Sequence, residues 1–410
     1  MSDSPSRMAS RAALRETRRR SAKRLRTVAI LVVSAIVVAA AAFGTLALVR
    51  PRVATSDLLA AATLRSPEPS ALATRAASIA ASASTTVLEA GRPATLTISA
   101  VGDMIFDRRV KSLIQSEGGL APLSAVATHL KAADVTIGNL ESPLSSGGVK
   151  NATKDVTFRG DPRGIEGLAA AGFDLLSLGN NHVLDYGPEA LADTIASLNA
   201  RGIGSAGAGA DKKAAWKPAV VERDGATVAF LSFSHILPPG FVATGSRAGL
   251  AQGRNNMDEV VAAVREAKKQ YDYVVVSFHW GVEYKDDANG DQVRDAQMTI
   301  DAGADMVLSH HPHVIQAVEF YKGRLIAYST GDFVFDHYSR KTGEAFILDA
   351  ALGPDGVTDV KVTPVYLDSY GKPEFVSGSE ATVILKRLKD ISAKRATTVS
   401  IEGDTATVTP

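Results

Sequence analysis

Residues able to bind metal or move protons recur along this chain in one setting, at the end of a short apolar run. The stretch Phe173–Gly187 is the densest example: after Leu175-Leu176-Ser177-Leu178 the chain breaks at Gly179 into Asn180, Asn181 and His182, with Asp185 three residues on. Asp103 follows the apolar run that ends at Val101, and Asn139 and Glu141 follow the run ending at Ile137. His279, Trp280 and Glu283 follow Tyr273–Phe278, while His310, His311 and His313 follow Asp305–Leu308. Five of the eight histidines are placed in this way. Imidazole combined with carboxylate and carboxamide oxygen suits Mn, Zn or Fe rather than a calcium-type oxygen cage. One divalent ion would activate water and polarise a phosphoryl oxygen, and a pair would clamp both attacking and leaving oxygens. His182 is the best-placed group to protonate a leaving oxygen, and Asp185 could orient its ring. In an extended segment His311 and His313 leave one face and His310 the other. The plainer reading of each stretch is local: Asn-Asn and Gly are turn residues, and an Asp beyond a strand often caps a helix.

The elements that must position these groups alternate. Strands are predicted at Ala94–Val101, Asp134–Ile137, Leu175–Leu178, Ala219–Val221, Thr227–Ser232, Tyr273–Phe278 and Asp305–Leu308. Helical patterns fall at Arg109–Gln115, Ala121–Ala132, Pro188–Arg201, Met257–Gln270 and Gln292–Ala302. A hairpin at Val314–Ser329 runs into Gly331-Asp332-Phe333. Further strands follow over Glu344–Leu367, then a helix over Glu380–Ala396 and a closing hairpin to Thr409. Alternating strands and helices argue an α/β fold, and in such sheets ligands collect at the carboxyl ends of the strands. There is no Gly-x-Ser-x-Gly elbow and no P-loop, so a serine hydrolase or an ATPase has little support. The absence of cysteine excludes disulfides and thiolate sites.

The amino-terminal part has a different character. The first 26 residues carry nine Lys/Arg and two acids, and Thr27–Val49 is a 23-residue stretch without charge. That length spans a bilayer. The basic flank places the N-terminus in the cytoplasm and the rest of the chain outside, which predicts a single-pass membrane protein with an uncleaved anchor. Residues 50–93, rich in Ala, Ser, Thr and Pro, read as a flexible linker, leaving 94–410 as the extracytoplasmic domain. With 45 basic against 44 acidic side chains overall, there is no electrostatic case for nucleic acid.

Taken in order, Val101-Gly102-Asp103, Gly138-Asn139-Leu140-Glu141, Gly179-Asn180-Asn181-His182, His279-Trp280-Gly281 with Glu283, His310-His311-Pro312-His313 and Gly331-Asp332-Phe333 resemble the CapA family of poly-γ-glutamate capsule proteins, a branch related to the calcineurin-like metallophosphoesterases. The resemblance covers about Leu96–Phe335. It implies a four-layer α/β/β/α sandwich and a part in making, exporting or anchoring an anionic polymer, with the membrane and possible synthase subunits as partners. It also implies Asp103, Glu141, Asn181, His279, His311 and His313 as metal ligands, and His182 as general acid. The chain departs from the phosphoesterase pattern in two places. Met104 and Ile105 follow Asp103 where Asp-x-His is usual, and Asn139 and Glu141 stand where a bridging Asp is usual. Asp332 replaces an Asn after Gly331, and Ser309 a Gly. Two functions follow as alternatives: a metal-dependent hydrolase or transferase, or a non-catalytic component that binds polymer or synthase.

Overall fold

The computed structural model describes residues 92–410. The uncharged stretch 27–49 and nearly all of the 50–93 linker lie outside the described residues. No helix among the described residues is long and apolar enough to cross a membrane.

The strands run, in chain order, β1 (Leu96–Met104), β2 (Val135–Leu140), β3 (Leu175–Ser177), β4 (Gly204–Ala206), β5 (Ala208–Gly209), β6 (Ala219–Arg223), β7 (Ala226–Ser234), β8 (Gly249–Leu250) and β9 (Tyr273–His279). They continue with β10 (Met306–His310), β11 (Val318–Tyr321), β12 (Arg324–Ala327), β13 (Asp332–Val334), β14 (Glu344–Gly353), β15 (Gly356–Leu367), β16 (Pro373–Phe375), β17 (Thr398–Glu402) and β18 (Thr405–Thr409). Ten of them form one mixed sheet in the order β17-β18-β15-β14-β1-β2-β3-β4, with β13 beside β1 and β16 beside β15. Six form a second, β11-β12-β10-β9-β7-β6, and β5 with β8 makes a small ladder. The tight hairpins sit where the sequence supplies them. Asp224 and Gly225 (φ 50° and 77°) join β6 to β7, and Lys322 and Gly323 (φ 52° and 73°) join β11 to β12. Two successive positive φ angles define the turn whose twist matches the flanking strands.

The period-two alternation of strands distributes side chains between two cores. On β2, Val135 and Ile137 join Val228, Phe230, Val275 and Val307 of the six-stranded sheet in one apolar cluster, so the two sheets pack against each other. Ser177 of β3 and Ser232 of β7 bridge them with a 2.8 Å hydroxyl contact. The opposite face of the larger sheet, through Val101, Leu140 and Leu176, packs on the helices Arg108–Glu117, Gly164–Ala170 and Gly187–Asn199 by way of Val110, Ile114, Leu168 and Leu191. Helices Met257–Gln270 and Gly290–Asp301 pack on the smaller sheet through Val260, Val264, Ala296 and Ile300.

The structure corrects three local expectations. β1 continues through Met104, so Asp103 is inside the strand; Asp107 takes the N-cap position of the helix without a side-chain capping bond, its carboxylate accepting instead from the Arg159 backbone N–H. The predicted helix Ala121–Ala132 breaks into a 3₁₀ turn, Ala121–Leu123, and a short helix, Ala127–Leu130. The stretch after the predicted hairpin, Asp332–Val334, forms a strand of its own, β13. It pairs in parallel with β1, opposing Asp332 to Asp103.

That pairing requires glycine. A Cβ at Gly102 would lie 1.8 Å from the Gly331 carbonyl oxygen, whereas one at Gly290, the first residue of its helix, would meet nothing within 4 Å. Gly102→Ala is therefore expected to lower stability by about 1–3 kcal/mol or more, as overpacking does. Gly290→Ala should be neutral or gain roughly 0.4–1 kcal/mol. Urea unfolding of the two variants checks both, and equal midpoints would contradict the close approach.

Candidate metal centre and proton-transfer pair

The predicted residues converge where the carboxyl ends of β1, β2, β3, β9 and β10 meet across the two sheets. Asp103 has Asn139 of β2 as one cross-strand neighbour and Asp332 of β13 as the other. Its Oδ1 accepts from Asn139 Nδ2 at 2.7 Å and its Oδ2 from the His311 backbone N–H at 3.0 Å. The second bond ties the larger sheet to the loop after β10. Asn180 donates to Asn139 Oδ1 (3.1 Å) and to the Leu140 carbonyl (2.8 Å), and accepts from the His182 backbone N–H. Asn139 and Asn180 thus hold the site together with their own polar atoms already paired.

Three overlapping sets of ligand atoms each lie within 4.8 Å of one another: Glu141, His311 and His313; Asp103, His313 and Asp332; and Asp103, Glu141 and His279. Asn181 joins them, its Oδ1 lying 2.8 Å from His279 Nε2. Glu141 is fully buried, and neither of its carboxylate oxygens has a hydrogen bond. Oε1 comes within 3.2 Å of His279 Nε2, but that nitrogen bonds Asn181 instead. His279 Nδ1 and His311 Nδ1 are likewise buried and unpartnered. Buried polar atoms are normally paired, and several orphans at one spot call for a missing partner.

The electrostatics agree. Burial pushes Asp103 up to about 7, aided by the Glu141 charge. Burial also raises Glu141 and Asp332 to about 7. Burial alone would lower the His313 imidazole, but the carboxylates of Asp332, Glu141 and Asp103 outweigh it and hold it well above its ordinary value. His313 Nδ1 lies 2.7 Å from Asp332 Oδ1. Burial holds His279 and His311 well below the usual imidazole range, helped by the neighbouring histidines. Neutral imidazoles beside carboxylates that resist ionisation are what a divalent cation would stabilise. The donor set of nitrogen and oxygen fits Mn, Zn or Fe.

His311 and His313 do not reach this cluster by strand alternation. Their φ angles are 98° and 56°, so the loop is a left-handed turn and the extended-segment expectation fails. His310 ends β10 and its Nδ1 stands 3.6 Å from Asp103 Oδ1, with burial lowering it to about 3. Trp280 is not at the cluster. Its ring stacks on Phe278 at 4.4 Å and its indole N–H donates to the Tyr328 carbonyl within the core. Glu283 is exposed and lines the cleft outside the cluster.

That cleft, of about 380 Å³, is lined by His182, His313 and Asp332 together with Arg108, Phe158 and Tyr284. His182 Nδ1 lies 2.5 Å from Asp185 Oδ2, and the Phe158 ring packs over the imidazole at 4.2 Å. Asp185 also accepts from the Phe158 backbone N–H at 2.7 Å. Sequence reasoning missed Lys154. Its ammonium reaches Asp185 Oδ1 and the Asn181 carbonyl, each at 2.5 Å, and lies 3.2 Å from His182 Nδ1. Burial lowers the Lys154 pKa against the pull of Asp185. Lys154 belongs to an irregular loop, and no motif or periodicity singles it out.

A family description, bacterial capsule synthesis protein PGA_cap, matches residues 97–337. The chain belongs to this family. Asp103, Glu141, Asn181, His279, His311, His313 and Asp332 all lie within the matched span. The PGA biosynthesis protein CapA of Bacillus subtilis is 32% identical over 272 residues, covering 66% of this chain and 71% of that protein. The capsule biosynthesis protein CapA of Bacillus anthracis is 30% identical over 306 residues, covering 73% and 74%. Among solved structures, a Mycoplasma pneumoniae phosphatase aligns with a TM-score of 0.44 at 13% identity, covering 67% of this chain and 94% of that one.

If the orphaned atoms are ligands, metal must stabilise the fold. Mn or Zn at a hundred times its dissociation constant is expected to raise stability by about 2.7 kcal/mol over the EDTA-treated protein. Glu141→Gln should abolish most of that gain. Differential scanning calorimetry with metal analysis tests this, and a melting temperature indifferent to metal in the parent would overturn the assignment.

Proposed function

We propose that this chain is a CapA-type accessory protein of poly-γ-glutamate, or similar anionic polymer, capsule synthesis. In this reading it is held at the outer face of the membrane by residues 27–49 and acts through a metal-dependent hydrolase-type site in a four-layer metallophosphoesterase sandwich. The polymer assignment rests on family membership and on the names of the CapA relatives. The observation that carries the catalytic part is that His182, paired with Asp185, lines a cleft together with Asn181, His313 and Asp332, members of the cluster whose Glu141, His279 and His311 atoms are buried and unpaired.

Asp103, Glu141, Asn181, His279, His311, His313 and Asp332 are the side chains that would hold the ion. A divalent ion bound there supplies Lewis acidity toward an oxygen of a phosphate ester or of an amide. The protein's own residues do the rest. Asp185 accepts at Nδ1 of His182, which leaves Nε2 as the nitrogen able to deliver a proton to a leaving oxygen or nitrogen. Lys154 and the Phe158 amide fix the Asp185 carboxylate, which in turn holds the imidazole at Nδ1. Arg108 and Lys154 line the cleft, each paired with a carboxylate, Asp336 and Asp185 respectively.

Loss of the proton donor and loss of a ligand are separable. His182→Ala should retain bound metal and lose roughly 10²–10⁴ in rate on poly-γ-glutamate or on a phosphodiester probe. His311→Ala and Asp103→Ala should lose metal. Turnover by His182→Ala at the parental rate would sink the role given to it, and a parent without metal would leave a polymer-binding protein. The anchor is tested separately on intact cells. A carboxyl-terminal tag should be shaved by external protease, and its protection would reject the topology.

A further inference from the structure

A second cavity, of about 540 Å³, shares the loop after β9 with the cleft: Gly281 and Val282 line the cavity, Glu283 and Tyr284 the cleft. Its volume falls in the range of about 300–1,000 Å³ typical of small-molecule sites. Nothing in the metal cluster accounts for it. His235, just beyond β7, and Asp295, on the helix Gly290–Asp301, are among its lining residues, and their side chains are only 9% and 3% exposed. His235 Nδ1 and Asp295 Oδ2 are 3.9 Å apart, too far for a hydrogen bond. Asp295 Oδ1 is taken by Arg294 Nε at 2.8 Å, which leaves Oδ2 free.

The surroundings of His235 determine what this pair can receive. Phe278 and Trp280 meet the imidazole edge-on at 5.4 and 5.5 Å. Nε2 is buried without a partner, against Gly253, where a Cβ would come within 2.9 Å of it. A buried N–H with no acceptor is a worse arrangement than a bare lone pair. The single proton of the neutral ring therefore belongs on Nδ1. Nδ1–H then donates and Asp295 Oδ2 accepts, across a gap that one small group can span at about 2.7–3.2 Å from each. A hydroxyl does both at once. An ammonium only donates and a carboxylate only accepts, so each leaves one of the two atoms unpaired. Arg254 and Asp258, a donor and an acceptor, also line the cavity.

We infer that this cavity is a saccharide subsite, in which His235 Nδ1 and Asp295 Oδ2 grip one hydroxyl of a sugar ring and Arg254 with Asp258 its neighbours. A glycan seated there would lie one loop away from the cleft. The inference is independent of metal binding and of turnover.

Saturation-transfer NMR on the full-length protein tests it, in a polyoxyethylene detergent free of sugar headgroups and in the presence of EDTA. The probes are glucose, galactose and N-acetylglucosamine, with lysine and acetate as donor-only and acceptor-only controls. At least one sugar is expected to bind saturably with a Kd of about 1–10 mM. Asp295→Ala and the exposed Arg254→Ala should each weaken it tenfold or more, while His182→Ala should leave it unchanged. Because Asp295→Ala also removes one of the two carboxylate partners of Arg294 and could unfold the helix, Arg254→Ala provides the test that does not depend on that position. Silence across the sugars to about 50 mM, binding of lysine in preference to them, or sugar binding unaltered in Arg254→Ala and in a folded Asp295→Ala would each overturn the assignment.

Discussion

Three carboxylates, Asp103, Glu141 and Asp332, are buried within one site, and much of the surrounding architecture answers to that fact. Taking charged groups out of water is costly unless they are paired. Here the pairing inside the chain is incomplete. Asp103 receives an amide and a backbone N–H, Asp332 pairs with His313 at 2.7 Å, and Glu141 receives no hydrogen bond at all. The deficit is concentrated where four further nitrogen and oxygen donors converge. A site of this kind sacrifices stability in the empty protein and recovers it when a cation arrives.

The fold permits this because the donors come from both sheets. Asp103, Asn139 and Asp332 stand on adjacent strands of the larger sheet, while His279 and the His311–His313 loop extend from the smaller one. The His311 backbone N–H on Asp103 crosses between them. The approach of β1 to β13, with no space for a Cβ at Gly102, sets the spacing of the first group. Positive φ at His311 and His313 sets the second. Backbone held in that region persists only when its surroundings over-determine it. The packing of the two sheets on each other supplies that constraint.

How much of this is legible in the sequence follows from what kind of signal each part leaves. The central strands announce themselves as β-branched runs, as Tyr273–His279 does, and the amphipathic helix Met257–Gln270 is read to the residue. The donor types at strand ends are legible for the same reason, since the run and its polar terminus are contiguous. β4, made of Gly204, Ser205 and Ala206, has no apolar signature, and its pairing with β3 depends on tertiary context. β13 is three residues long and is a strand only because β1 lies beside it. The His311–His313 turn violates the alternation that its spacing suggests. Trp280 sits next to a ligand-type histidine yet serves the core, because adjacent residues of a strand end face opposite ways.

Lys154 marks the limit of such reading and also shows what the loop is for. Nothing near it repeats, yet its ammonium contacts Asn181, His182 and Asp185 together, one a candidate ligand and two the proton-transfer pair. A point charge on a flexible stem suits that task better than a planar guanidinium would, since its donors must reach a side-chain carboxylate and a backbone carbonyl in different directions. The Asp185 carboxylate beside the imidazole and the backbone carbonyl of the candidate ligand Asn181 are held by the same ammonium, which couples their positions.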